Sequence, residues 1–502
     1  MEQVISSAEM RNWEQANFDS SFADPLELMY IAGKGCAELF LQYAQRYSDF
    51  QRIVIFAGHG NNGGDGVVMA SYLAERVGAE IVLALAKEPE KFSVSSKYYF
   101  QKLHKKVQVI PAEKVQLFSG DLIVDALLGT GCSNVMHEPY KSLINSINQS
   151  RCLVFAVDLP SGLGADTTVR ADITAVIGGF KDILFTESGI ESAGLLKLVE
   201  LPLSLEPESR AGVFAASEQW FRKNTKPMSR SVHKYQRGSV LVIGGSQEYF
   251  QAPFLTARSV LRAGAGLVRL LIPFAVQPGS GALSIIPVSV KTENGAFSGK
   301  NLADVLKYSE KADCIAVGPG MGRNLCSKDF IAGLLKLDKP LLLDADALYF
   351  ASQMPELFQQ RQAPTVLTPH RGEAQRLAEA LNMTIPDDNI AFARLLAKHY
   401  NSTVLLKGAR TVTAAPDGRV RLNTSGSPAL ATAGSGDVLT GLIAGEMAHF
   451  HSDLTDLEAW DSAARGAFLH GLAGEYAGRR FGNGVTADDL PEAAAEVFFA
   501  KY

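Results

Sequence analysis

Cysteine is scarce in this chain of 502 residues: Cys36, Cys132, Cys152, Cys314 and Cys326, an odd number with no C-x-x-C pair. That count argues against a disulfide framework or a cysteine zinc site and points to a reducing, cytoplasmic setting, with the thiols as small buried hydrophobes. A surplus of one charge is lacking too. Lys plus Arg number 48 against 53 Asp plus Glu, with no basic arm or block, so the electrostatic footprint of a nucleic-acid binder is absent. The apolar runs are strand-sized and broken by Gly or charge, which speaks against a membrane span. Residues 1–15 carry Glu2, Glu9 and Glu14, with neither the apolar stretch of a signal peptide nor the Arg content of a transit peptide.

What is present is core material. Hydrophobic residues make up 47% of the chain, and its length accommodates two to four domains at about 150 residues each. Short β-branched runs alternate with helix-length amphipathic segments. Strands are expected at 52–56, 80–86, 121–125, 153–158 and 175–177, then at 239–243, 267–272, 314–317, 340–344, 365–368 and 403–407. Several are continuously apolar, the pattern of parallel strands covered on both faces, so the expected class is α/β with three-layer αβα units. The alternation pauses between 201 and 238, a stretch containing Pro202, Pro207 and Pro227, where Ser217 is a candidate N-cap for a short helix. A boundary near 222 gives domains 1–222 and 223–502.

The first strand of the first half runs into Gly58-His59-Gly60-Asn61-Asn62-Gly63-Gly64-Asp65-Gly66 and a helix. Gly58, Gly60 and Gly63 satisfy G-x-G-x-x-G, but Asp65 in the first helical turn competes with a pyrophosphate for the same backbone donors. Two further strand ends supply Asp125-Ala126-Leu127-Leu128-Gly129-Thr130-Gly131 and Asp158-Leu159-Pro160-Ser161-Gly162. Asn62, Asp125 and Ser161 are the hard oxygen donors that a group I or II cation prefers, leaving Asp158 for acid–base work. Helix capping or tight turn geometry accounts for any one loop; three at one sheet edge favour a site.

In the second half, Gly434-Ser435-Gly436-Asp437 opens a helix. Successive amides at a helix N-terminus make an anion hole for a transferring phosphoryl group, and Asp437 is placed to take a proton from an attacking hydroxyl. Lys407-Gly408-Ala409-Arg410-Thr411 ends one strand, suited to the phosphates or ribose of a nucleotide, and no P-loop motif is present. Gly318-Pro319-Gly320-Met321-Gly322 ends another. Asp344 and Asp346 are candidate magnesium or water partners, and His370 in TPHRGE is a candidate substrate contact. Arg258, Arg262 and Arg269 read as surface or structural charges.

Taken together, NNGGDG, DALLGTG and DLPSG, followed in order by GPGMG, DADAL, TPHRGE, KGAR and GSGDVLTG, resemble the bifunctional NAD(P)H-hydrate repair enzymes over nearly the whole chain. The resemblance implies a Rossmann-like epimerase domain and a ribokinase-like, ADP-dependent dehydratase domain. It implies that the first interconverts the R and S forms of hydrated NADH and NADPH (NADHX, NADPHX). The second would dehydrate the S form to NAD(P)H, with ADP yielding AMP and phosphate. The hydrate would contact Asn61, Asn62, Gly63, Gly64, Asp65, Gly129, Thr130, Gly131, Cys132, Ser133, Asn134, Val135 and Asp158 in the first half. In the second it would contact Gly320, His370 and Asp437. Lys407, Gly408, Ala409, Arg410, Thr411 and Gly436 would hold the adenine nucleotide, although Arg410 has no separate role. Asn62, Asp125 and Ser161 would bind potassium, magnesium would serve the dehydratase, and Asp158 and Asp437 would be the catalytic groups. The expected partners are small molecules, without nucleic acid or membrane, in a homo-oligomer. The segment 277–282 reads short against the family pattern, and nothing is carried over there. A sugar or vitamin-precursor kinase fused to a dinucleotide-binding module shares the glycine loop and Asp437, and a nucleotide-sensing regulator is the non-enzymatic alternative.

Overall fold

The computed structural model describes residues 3–45, 50–131, 134–204, 212–225, 229–273 and 284–499. Cys132, Ser133 and the segment 277–282 lie outside the described residues. The chain divides into two units, Met1–Ala211 and Gly212–Tyr502, earlier than the expected boundary near 222. The difference has a packing cause. Val213–Ala216 pairs in parallel with Val420–Asn423, and Ser217 caps the helix Glu218–Lys223, as expected, accepting from Trp220 N–H at 3.0 Å. That helix buries Trp220 and Phe221 in one cluster with Phe468 and Phe498. Residues 212–222 therefore belong to the second core.

In the first unit, β1 (Arg52–Ala57), β2 (Glu80–Leu85), β3 (Val107–Pro111), β4 (Leu122–Ala126), β5 (Leu153–Val157), β6 (Ile173–Ile177) and β7 (Leu195–Val199) form a parallel sheet. Its order is β3-β2-β1-β4-β5-β6-β7. Alternate residues of one strand enter different cores. Ile53, Ile55, Leu83 and Val124 join Phe40 of the helix Pro25–Ala44 and Met69 of Asn61–Ala74. Val54, Phe56, Val82 and Ile123 join Leu143, Ile144 and Ile147 of Tyr140–Gln149. Three layers result, which is why these strands read as continuous apolar runs. Strand order reverses between β1 and β4, and ligands of open α/β sheets bind at the carboxyl ends beside such a point.

The second unit contains β8 (Val213–Ala216), β9 (Ser239–Ile243), β10 (Leu267–Pro273), β11 (Ile286–Val290), β12 (Cys314–Val317), β13 (Leu341–Leu343), β14 (Thr365–Leu367), β15 (Thr403–Leu406), β16 (Val412–Ala414) and β17 (Val420–Asn423). Their order is β8-β17-β16-β15-β14-β13-β12-β9-β10-β11, parallel except where β16 meets its two neighbours. Val240, Val242, Val268, Leu342 and Leu405 pack with Leu439 and Ile443 of Ser435–Ala448 and Ala463 of Asp456–Phe481. Leu241, Ile243, Ile315 and Leu343, pointing the other way, are equally buried. Order reverses between β9 and β12, again placing a crevice at the strands' carboxyl ends.

Candidate active sites

The first site gathers where β1, β4 and β5 end. A Cβ on Gly58 would lie 1.8 Å from Leu127 O, so only glycine lets the β1 turn lie against the loop after β4. Asn62, in the first turn of its helix, is buried, and both side-chain amide atoms lack a partner. An unpaired buried amide costs free energy unless a ligand completes it. Gly129 faces the same space: a Cβ there would lie 3.4 Å from Asn62 Cβ and 3.6 Å from Asp158 Oδ2.

Asp158, with φ of 65°, turns the chain sharply at the end of β5. Its Oδ1 accepts from Ile177 N–H at 3.2 Å and from Lys181 Nζ, whose ammonium also donates to Ile177 O at 2.6 Å. Lys181 is 1% exposed, so this pair is held out of water. Oδ2 remains for chemistry. Beneath it, Asp125 accepts from Ser161 N–H at 2.7 Å and Ser161 Oγ–H at 2.6 Å, and Leu128 N–H donates to Ser161 Oγ at 2.8 Å. Burial pushes the Asp125 carboxyl up to about 6 despite those hydrogen bonds. Burial, with Asp158 and Glu14 nearby, holds the Asp65 carboxyl well above the usual carboxylate range, and Lys181 offsets only part of this.

The structure thus brings Asn62, Asp65, Gly129 and Asp158 together, with Asp125 and Ser161 bonded beside them. Asn61 instead accepts from Ser93 Oγ at 2.8 Å on the exposed side, and Asn134 O accepts from Asp166 N–H at 3.2 Å. Lys181 and Glu14 were not singled out from sequence. A lone lysine closing an apolar strand end was the available signal for Lys181; nothing local marked Glu14.

The second site is built from the ends of β13, β14 and β15 and the first turn of Ser435–Ala448. Gly434 caps that helix with φ of 88°, in the left-handed region. Ser435 N–H donates to Thr432 O at 3.3 Å, so the expected hole over residues 434–436 loses that member. The amides of Gly436 and Asp437 remain as first-turn donors without a backbone acceptor among the described residues. Ser435 Oγ lies 3.0 Å from Nε2 of the buried His470, whose pKa burial lowers to about 4, keeping the imidazole neutral.

Lys407 Nζ donates to Asp344 Oδ1 at 2.9 Å and stands 3.9 Å from Glu373 Oε2. A Cβ on Gly436 would lie 3.7 Å from that nitrogen, which puts Lys407 beside the glycine loop. Thr368 Oγ1 donates to Asp344 Oδ1 at 2.8 Å and Thr440 Oγ1 to Oδ2 at 2.7 Å. Burial opposes the charge on Asp344, but Lys407 and the two hydroxyls hold it below the usual carboxylate range. Burial likewise opposes the Lys407 ammonium, and Asp344 and Glu373 outweigh it. Asp437 is raised to about 7, first by burial and then by Asp344 and Asp346, with Lys407 pulling the other way.

The Asp346 oxygens accept from Gly322 N–H and Arg323 Nε–H, both at 2.9 Å. His370 caps the helix Arg371–Glu379, its Nδ1 accepting from Gly372 N–H at 3.1 Å, while 60% of its side chain stays exposed beside a backbone bridge to Lys407. Gly320, with φ of 61°, packs against Tyr249 O. Gly408 and Ala409 are exposed, and Thr411 Oγ1 closes their turn on Gly408 O at 3.0 Å. Arg410 is buried and donates to Thr424 O at 3.3 Å, which gives it a structural role. Arg258 and Arg262 both pair with Glu492. Among the described residues no group of three or more His, Cys, Asp or Glu is arranged to hold a metal. The described cysteines, Cys36, Cys152, Cys314 and Cys326, are free, and no described helix is long and apolar enough to cross a membrane.

Two family models match. One, described as NAD(P)H-hydrate dehydratase, covers residues 240–495, and the other, YjeF-related protein N-terminus, covers residues 25–181. A relative from Moorella thermoacetica, named bifunctional NAD(P)H-hydrate repair enzyme Nnr, is 34% identical over 97% of this chain and 95% of its own length. One of the same name from Escherichia coli K12 is 32% identical over 92% of this chain and 88% of its own. Among solved structures, an ADP/ATP-dependent NAD(P)H-hydrate dehydratase from Bacillus subtilis, co-crystallised with ATP and Mg2+, is 26% identical. It covers 58% of this chain and 99% of its own, at a TM-score of 0.49.

Proposed function

This chain belongs to the bifunctional NAD(P)H-hydrate repair enzymes, and from that premise we propose that its two crevices carry out the two halves of one repair. The first unit epimerises hydrated NADH and NADPH, and the second dehydrates the S form with ADP as phosphoryl donor, in a reducing cytoplasm.

The substrate carries a hydroxyl on C6 of the reduced ring, next to N1. In the first unit the N1 lone pair expels that oxygen, and its return on the other face inverts the centre. Asp158 moves the proton at Oδ2, because Oδ1 is committed to Lys181 and Ile177 N–H. Asn62 supports a cation or substrate oxygen here, since its buried amide is unpartnered. Potassium fits the donor set of Asn62, Asp125 and Ser161, an amide oxygen, one carboxylate and a hydroxyl, and supplies fixed positive charge that orders the pocket.

Hydroxide is a poor leaving group, so in the second unit it becomes a phosphate ester first. Asp437 accepts the C6 hydroxyl proton as the oxygen attacks the terminal phosphorus of ADP, releasing AMP. The Gly436 and Asp437 amides, with Lys407, stabilise charge on the transferring group. Phosphate then departs with the C6–O bonding pair, driven by N1, and loss of the C5 proton restores the ring double bond. A magnesium ion would arrive with the nucleotide's phosphates; Asp344 and Asp346, which accept from Lys407, Thr440 and Thr368 and from Gly322 and Arg323, keep lone pairs that could face it. His370 and Gly320 are proposed to border the hydrate and residues 407–411 the nucleotide.

The observation that carries this reading is Asp437, a carboxyl poised near neutrality beside Lys407 and first-turn amides. The test adds ADP to the purified chain with mixed R and S NADHX. Recovery of the reduced nicotinamide's near-ultraviolet absorbance from both epimers is expected. Phosphorylation of a plain alcohol from ATP, with no recovery, would support the kinase alternative instead.

A further inference from the structure

The family model for the first unit begins at residue 25, yet the segment before it reaches the Asp158 cluster. Val4–Ile5 pairs in parallel with Phe180–Lys181, Ile5 opposite Lys181 itself. The helix Ser7–Asp19 follows at once, opened by a capping box in which Ser6 Oγ accepts from Glu9 N–H at 3.2 Å. Met10 and Trp13 are buried with Ile5, and Leu201 and Leu203 pack on them. A Cβ on Gly178, in the turn ahead of Lys181, would lie 2.4 Å from Met10 Cε, so the helix is seated directly on that turn.

Two polar residues, Arg11 and Glu14, lie one helical turn apart on this helix. Arg11 Nη1 donates to Thr130 O at 2.8 Å, across 119 residues of sequence. Glu14, half-buried, lies in the field of Lys181 and Asp158. We propose that this helix is a wall of the hydrate site, in which Arg11 holds the loop at residues 129–131 through the Thr130 carbonyl. Arg11 is a positioning residue, and the proposal rests on the epimerase reading of this unit. Gly129, next to Thr130, faces Asp158 Oδ2, so a loop displaced from Arg11 moves the surface opposite the proton-transfer atom.

Glu14 is faced by Lys181, Asp158 and Arg11, and Asp65 also feels its charge. Burial, with Asp158 adding to it, raises Glu14 to about 7, against the pull of Lys181 and Arg11.

The experiment uses the full chain with Arg11→Ala and Arg11→Lys, following epimerisation of one hydrate epimer. Binding of the hydrate is measured in parallel by thermal shift, and ADP-dependent dehydration serves as the internal check of folding. Arg11→Ala should raise KM and Kd by about tenfold with kcat less affected, as for a lost charge-assisted hydrogen bond, and Arg11→Lys should recover part. Unchanged KM and Kd in these variants overturn the proposal. An unmodified chain that binds the hydrate without inverting it overturns the epimerase reading instead, and the Kd ratio for Arg11→Ala then decides the wall by itself.

Discussion

Lys407 and Asp344, 63 residues apart in sequence, form a buried ion pair at 2.9 Å between the ends of two strands of one sheet. The pair does more than neutralise charge. Asp344 takes hydroxyl hydrogen bonds from Thr368 and Thr440 as well, so it fixes the ammonium beside the glycine loop of Ser435–Ala448.

Lys407→Met removes the cation and leaves Asp344 buried with two hydroxyls for company. Breaking one side of a buried pair costs about 3–5 kcal/mol. A lowered Tm and a loss of ADP-dependent dehydration are expected together, read by calorimetry and by the absorbance assay.

Asp437→Asn tests the base. Dehydration should fall on the order of 10²-fold or more, the usual share of a general base, while epimerisation continues. In the unmodified chain Asp437 titrates at about 7, and a base works when deprotonated, so dehydration should decline as pH falls through that value. A dehydration rate unaffected by the substitution removes Asp437 from the mechanism.

Potassium should raise the Tm of the unmodified chain more than lithium does, because the larger ion suits amide, carboxylate and hydroxyl oxygens placed by three separate loops. Asn62→Ala and Asp125→Asn should each erase that difference, since a ligand stabilises only the state that binds it. Equal shifts with both ions would argue for a pocket ordered by the nucleotide alone.

Gly58→Ala sets a methyl group 1.8 Å from Leu127 O, and backbone lies on both sides of the clash. A stability loss above about 2 kcal/mol in the first unit is expected, in line with forced overpacking of backbone. Epimerisation should disappear with it, and dehydration by the second unit should persist.

Much of this was legible in the sequence where strands are buried on both faces. The runs at 53–56 and 240–243 are apolar throughout because each side chain meets a core. The half-exposed β3 and the short β16 and β17 gave no such run, since their burial depends on neighbours distant in the chain. The loops carrying Asn62, Asp125 and Asp158 announced themselves as glycine turns or aspartates at strand ends, and that of Asp437 as a glycine loop opening a helix. Lys181 and Thr440 did not, because each takes its place only through a partner supplied by another element. Thr440 had one local clue, lying three residues after Asp437 on the same helix. Asp344 and Asp346 illustrate the converse: carboxylates that look free in sequence are already engaged by hydrogen bonds from within the fold.

Ala345, between those two aspartates, adopts φ of 48°, a left-handed conformation that an alanine occupies only under constraint. The twist sends adjacent carboxylates to opposite errands, one gripping the lysine and the other the backbone of the loop after β12. The loop that holds Gly322 and the strand end that holds Lys407 are thus tied to carboxylates two residues apart, on either side of one constrained alanine.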